Sequence, residues 1–272
     1  MDRKKQLHRL GYALSVAIAL ATATAQAATS FSLTLDFTGG GLSASQQAVF
    51  ADAATFWENH VTGYQPGIGI SGITIAASGS YIDGLGGTLG EGGPTAGGTF
   101  NGYTLATTGI IQLDTADLTN MENNDSLYDV ILHEMAHVMG FGTLWTDNGV
   151  YTNGTGQYTG TNALATYKNE FNQPGATFVP VELGGGTGTA NGHWDEVNGG
   201  SGPTGITDSL GRDMRDELMT GWVDKPAKIF VSRTTLASFT DIGFVAVPEP
   251  TAMALVVIGV VGIGLRRRDR AA

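Results

Sequence analysis

Residues 126–145 read SLYDVILHEMAHVMGFGTLW, and the rest of the chain is organised around them. Leu127, Ile131, Met135 and Val138 recur at helical spacing, which predicts a helix with one apolar seam for the core. Asn124 or Asp125 is available as its N-cap, and Gly140 can end it by taking a positive φ. His133 and His137 fall on another side, one turn apart. Two imidazoles at that spacing can grip a single zinc ion, and Glu134 beside them can handle a water proton. The plainer alternative is two surface histidines on an ordinary helix. Past residue 27 the chain holds only four histidines, and two of them are these.

A catalytic zinc takes a third protein ligand and keeps one position open for water. In compact metzincins the third histidine follows six residues after the second, which here is Thr143. That position cannot serve. His193, in Gly192-His193-Trp194-Asp195-Glu196, is the best remaining histidine, fifty-six residues beyond His137. Glutamates are the competing ligands: Glu170, in a predicted short helix over Ala163–Phe171, then Glu182 and Glu196. His193 is preferred to each. His60, at the end of an earlier predicted helix, reads as a partner of that helix's dipole rather than a ligand.

Taken together, HEMAHVMGF over His133–Phe141, the separated His193-Trp194, and Asp216-Glu217-Leu218-Met219 resemble the leishmanolysin-type metzincins. In that family an insertion separates the glycine from the third histidine, and a methionine turn follows. The resemblance covers about Asp125 to Val245. It implies a zinc-dependent endopeptidase acting on protein or peptide substrates. Its zinc would be held by His133, His137 and His193, with Glu134 as catalytic carboxylate, Met219 as the apolar floor beneath the metal, and Gly140 where the chain bends. Met214 is a second candidate for the methionine. The family's eukaryotic members carry disulfides and a cysteine-bearing inhibitory pro-segment; this chain has no cysteine, so a cysteine switch is impossible. The same absence excludes thiolate zinc sites and iron–sulfur clusters.

Outward from the helix, Ser30–Phe37 alternates polar and apolar residues as a strand does, and Ser43 or Ser45 can cap a helix running to about Val61. Gly67–Tyr81 reads as one or two strands. Residues 83–101 hold eight glycines and almost no large apolar side chain, so they are expected to form a long loop. Asp83 and Glu91 in it are the only carboxylates that could draw a cation there. Thr108–Asp114 returns to strand character and, as the resemblance to these zinc peptidases implies an edge strand beside the active-site helix that aligns an extended substrate, it is the candidate for that role. The expected fold is α+β: a small N-terminal sheet with a backing helix and the active-site helix, then an irregular C-terminal part carrying the third ligand and the methionine turn.

The 272 residues include 41 glycines and carry a formal net charge of −11. The basic residues crowd the ends. Between residues 28 and 247 there are six Lys/Arg against 22 Asp/Glu, a net of −16, which argues against a nucleic-acid partner. Residues 1–27 have the basic start, apolar run and Ala25-Gln26-Ala27 site of a cleaved export signal. Residues 248–272 place Pro248-Glu249-Pro250 before the short apolar run Thr251–Leu265 and four arginines, an order that resembles the PEP-CTERM sorting signal of Gram-negative bacteria. That resemblance implies an exosortase-type processing enzyme, membrane contact through the tail, and a cell-surface or secreted body. The expected division is therefore 1–27 leader, 28–140 and 141–247 as the two parts of the peptidase domain, and 248–272 sorting segment. Two other readings stay open. One is a surface-displayed or biofilm-matrix binding protein with a degenerate zinc site. In the other, calcium is an accessory ion at loops such as Asp147-Asn148-Gly149.

Overall fold

In the computed structural model, which describes residues 30–195, 202–222 and 229–247, helices and small sheets combine as α+β. Both predicted terminal segments lie outside the described residues. Among the described residues no helix is long and apolar enough to cross a membrane.

The chain begins with β1 (Ser32–Asp36), α1 (Ala44–His60), β2 (Val61–Tyr64) and β3 (Gly72–Ser80). Ser43 caps α1 by accepting from the Gln46 N–H, while the Gln46 side chain accepts from the Ser43 N–H, a reciprocal capping box. At the other end His60 Nδ1 donates to the Phe56 carbonyl at 2.8 Å and the ring stacks on Phe56. Then come β4 (Gly90–Phe100), β5 (Tyr103–Asp114), α2 (Leu118–Asn123) and α3 (Leu127–Met139). The sheet order is β1-β3-β5-β4, with β1, β3 and β5 parallel and β4 antiparallel to β5.

Two expectations are corrected here. The glycine-rich 83–101 is not one loop; its second half is β4. Thr108–Asp114 belongs to β5, which lies between β3 and β4, so the sheet's edge beside the active-site helix is β4 instead. β4 was hidden because a strand's apolar alternation signals burial, and β4 has no buried residue and almost no side chains to bury. Its backbone ladder to β5 holds it. The glycines also let it lie against α3: a Cβ at Gly92 would sit 2.7 Å from the Glu134 carbonyl oxygen. The first half of the loop is tied down by two aspartates, with Asp114 accepting from Asp83 and Gly84 N–H and Asp117 from Gly86 N–H. The Asp83 carboxylate accepts from Thr88 N–H within the same loop.

Helix α3 packs between α1 and the sheet, and Leu127, Ile131, Met135 and Val138 are all buried as their spacing required. Trp57 of α1 is fully buried and its indole N–H donates to the Leu132 carbonyl at 3.0 Å, fixing one helix against the other. Neither Asn124 nor Asp125 caps α3. Its N-cap is Ser126; Asn124 instead accepts from the Ser126 N–H, and Asp125 takes a left-handed turn at φ 60° between α2 and α3.

The C-terminal part comprises β6 (Gln157–Tyr158), α4 (Thr161–Glu170), β7 (Val179–Pro180), a 3-10 turn at Met214–Asp216, α5 (Arg233–Asp241) and β8 (Phe244–Ala246). Helix α4 packs on α5, and β8 returns to pair antiparallel with β2. Its share of the common core is aromatic. Trp145 stacks on Trp194 at 4.9 Å between centroids, with Phe141 and Tyr158 edge-on to both. A cleft of about 1440 Å³ opens between the two parts, with α3 and β4 along one side and the segments around His193 and Leu218 along the other.

Candidate metal centre

α3 delivers His133 and His137 to the cleft and ends at Gly140, where φ is 113°. The third position of the compact motif, Thr143, donates its hydroxyl to the His137 carbonyl at 2.7 Å and so finishes the helix end. The chain then leaves and returns at His193. Three contacts hold that return: Glu182 N–H donates to the His193 carbonyl, Trp194 N–H to the Met219 carbonyl, and the Trp194 indole to Thr235 Oγ1, at 3.0, 3.0 and 2.8 Å. Trp194 is wholly buried, so the residue beside it is placed by core packing rather than by a flexible loop.

The three histidines meet. Nε2 of His133 lies 2.9 Å from Nε2 of His137 and 3.1 Å from that of His193, and the remaining pair is 3.0 Å apart. Each Nδ1 faces a backbone carbonyl: Leu218 for His133 at 2.7 Å, Phe141 for His137 at 2.9 Å and Thr189 for His193 at 2.8 Å. A carbonyl only accepts, so each Nδ1 must carry the proton and each Nε2 is left a bare lone pair. Three lone pairs converging within van der Waals distance repel unless a cation sits among them. Three nitrogens at zinc-ligand distance and tetrahedral angles lie about 3.3 Å apart, so a slight opening of this cluster fits one ion. Burial reinforces the neutral form. It pushes the His133 pKa down to about 3, with His193 adding to the effect, and holds His137 well below its ordinary value and His193 below it too. Neutral imidazole is the form that ligates.

Glu134 is buried beside the cluster. Burial, then the nearby Glu91 charge, push its pKa up to about 8, while a hydrogen bond from the Gly92 N–H pulls it down. The turn after the 3-10 segment completes the site. Glu217 is fully buried, accepting from Met219 N–H at 2.6 Å, Ser232 N–H at 2.9 Å and Thr235 Oγ1 at 2.6 Å. It thereby fixes the turn whose Leu218 carbonyl orients His133. Met219 is fully buried in this turn, whereas Met214 lies upstream in the 3-10 segment.

Among the described residues the ligand cluster is the three histidines, and Glu170 and Glu182 have other partners. Glu170 accepts from Arg233 N–H, Thr234 N–H and Thr234 Oγ1, serving the start of α5. Glu182 Oε1 accepts from Gly184 N–H. Glu196 lies outside the described residues. In the candidate calcium loop, Asn148 uses its side chain on Thr104 N–H, Thr104 carbonyl and Leu144 carbonyl.

Sequence reasoning missed the three carbonyls, which no side-chain pattern encodes, and Glu217, which stood in the quoted motif without a role. It also missed Gly142. At φ 71° a Cβ there would meet the Gly192 carbonyl oxygen at 2.3 Å, so a glycine lets the returning turn pass beside the helix end, next to His193. Gly142→Ala is expected to weaken zinc binding at least tenfold in competition with a chromophoric chelator. Gly149→Ala is the control, because Gly149 has φ 69° but open space around it and shares only the backbone strain.

A histidine triad on an α+β scaffold, with a buried carboxylate beside it in an open cleft, defines a metallopeptidase-type centre. The leishmanolysin peptidase family model matches residues 102–258, more than half of the chain, and the chain belongs to that family of zinc metallopeptidases. No curated protein matches the chain.

Proposed function

We propose that the protein is an exported zinc-dependent endopeptidase of the metzincin type. Its zinc ligands are His133, His137 and His193, its general base is Glu134, and Met219 is the floor of the site. The observation that carries this reading is the convergence of three bare Nε2 atoms within 3.1 Å of one another in a member of a zinc-peptidase family. A zinc ion held there supplies Lewis-acid chemistry, polarising a carbonyl oxygen and acidifying water.

The chain's own residues do the rest. Glu134 takes a proton from the attacking water and returns it to the departing amine. Burial and Glu91 favour its protonated form, and a cation held at the histidines would pull the other way, favouring the ionised form that takes the water's proton. β4 offers its free edge to an extended peptide, with Gly90, Glu91 and Gly92 lining the cleft. Export is supported by the 1–27 leader, and surface display or release by the Pro-Glu-Pro, apolar and arginine order of 248–272, which suits an exosortase-type enzyme.

Purified full-length chain is expected to hold one zinc per molecule by elemental analysis and to cleave casein or a mixed peptide library. Dialysis against 1,10-phenanthroline should abolish cleavage and stoichiometric zinc should restore it. Stoichiometric zinc with no cleavage of any peptide would instead favour the surface-displayed binding protein.

A further inference from the structure

The hydrogen bonds to the buried Glu217 carboxylate divide unevenly between its two oxygens. Ser232 N–H and the Thr235 hydroxyl both donate to Oε1, at 2.9 and 2.6 Å, while Met219 N–H alone donates to Oε2, at 2.6 Å. The Met219 N–H belongs to the same peptide group as the Leu218 carbonyl. That carbonyl accepts from His133 Nδ1 at 2.7 Å, the shortest of the three histidine–carbonyl contacts. In a trans peptide the C=O and N–H point to opposite sides. A single line of hydrogen bonds therefore runs from carboxylate through peptide to imidazole, and ends at the bare Nε2 in the cluster. Among the described residues the carbonyls that face His137 and His193 lack this backing. Behind the Thr189 carbonyl, the Ala190 N–H donates to the neutral Gly186 carbonyl at 2.9 Å, and no carboxylate takes the Gly142 N–H behind Phe141.

All three groups at Glu217 donate to it, which is the arrangement an ionised carboxylate requires. Burial raises its pKa, and the same hydrogen bonds pull it back. A hydrogen bond to an ionised acceptor is the stronger kind, and bonds in a chain polarise one another inside a protein. An anion on the Met219 N–H pushes electron density toward the Leu218 oxygen and makes that oxygen a better acceptor. The His133 Nδ1–H is then held harder, and Nε2 of the same ring becomes a stronger donor to a metal. Metal-ligating histidines often reach a carboxylate directly to this effect. Here a peptide group stands between.

We propose that Glu217 is a positioning residue for the zinc. Through the Leu218–Met219 peptide it orients His133 and strengthens it, alone of the three ligands, as a metal donor. The proposal rests on the zinc-centre reading above and is independent of whether peptides are cleaved.

Glu217→Gln cuts the line at one bond. The amide oxygen goes where two donors point, which turns the NH2 toward the Met219 N–H. Glu170→Gln is the control, because Glu170 also accepts from backbone N–H groups at the start of α5 but backs none of the three carbonyls. Both variants should lose Tm. Competition with a chromophoric chelator is expected to show zinc held about 10–100-fold more weakly by Glu217→Gln, and within about twofold of wild type by Glu170→Gln. NMR of full-length chain labelled in its histidines reads the relay itself. The His133 Nδ1–H should resonate furthest downfield of the three in the wild type, with or without zinc, and should alone move upfield in Glu217→Gln. Unchanged zinc affinity in Glu217→Gln, equal weakening in both variants, or a wild-type His133 line no further downfield than the other two would overturn the proposal. The wild-type spectrum decides even if Glu217→Gln does not fold. A wild-type chain that binds no zinc but keeps the His133 line furthest downfield sinks the zinc centre and retains the hold of Glu217 on His133. Stoichiometric zinc without that ordering does the reverse.

Discussion

Glu134→Gln protein is expected to keep one zinc per chain and lose at least about 10³-fold in kcat/KM, the upper range for removing a positioned general base. The substitution preserves shape. Glutamine still accepts from the Gly92 N–H that now reaches the carboxylate. What disappears is an atom that can take and return a proton. Zinc should stay because the ion's three nitrogens are fixed independently of Glu134, each by its own backbone carbonyl. Elemental analysis beside peptide hydrolysis reads both quantities at once. A metal-loaded variant that still turns over at a tenth of wild-type rate or better would remove Glu134 from the mechanism.

His193→Ala is the second large effect. Losing one of three ligands should weaken zinc binding by at least about 100-fold and take peptide hydrolysis with it. The result also decides between His193 and the glutamates. Glu170→Gln should leave zinc content unchanged and lower Tm, since the Glu170 carboxylate serves two backbone N–H groups and a hydroxyl at the start of α5. Glu182→Gln should likewise retain the metal. If His193→Ala kept stoichiometric zinc and full activity while either glutamine variant lost both, the ligand assignment would have to move to that glutamate.

How much of this was legible depended on what kind of signal each feature leaves. The α3 seam was readable because burial on one helix face forces apolar residues at fixed spacing, and Gly140 because a positive φ at a helix end selects glycine. His193 was readable by elimination, in a chain with few histidines. β4 was not, since its glycines serve backbone approach to Glu134 instead of burying side chains, and glycine runs look the same in a loop. The edge strand was therefore assigned one strand too far inside the sheet. The caps of α3 failed for another reason: the sequence offers Asn124, Asp125 and Ser126 in a row, and which one starts the helix depends on the α2 turn before it. The carbonyls that set the histidine tautomers carry no residue identity at all.

The distance along the chain between His137 and His193 has a mechanical consequence. An ion shared by these two residues ties off a loop of 56 residues. For a covalent cross-link of that span the restriction of the unfolded chain is worth about 4 kcal/mol. With no cysteine anywhere in the sequence, no disulfide can do this work. The metal would then act as a staple, adding to the β2–β8 ladder that already joins the two parts. Stripping it would loosen the architecture as well as silence the chemistry, and the ion-free chain would become easy prey for any peptidase nearby, including its own loaded copies.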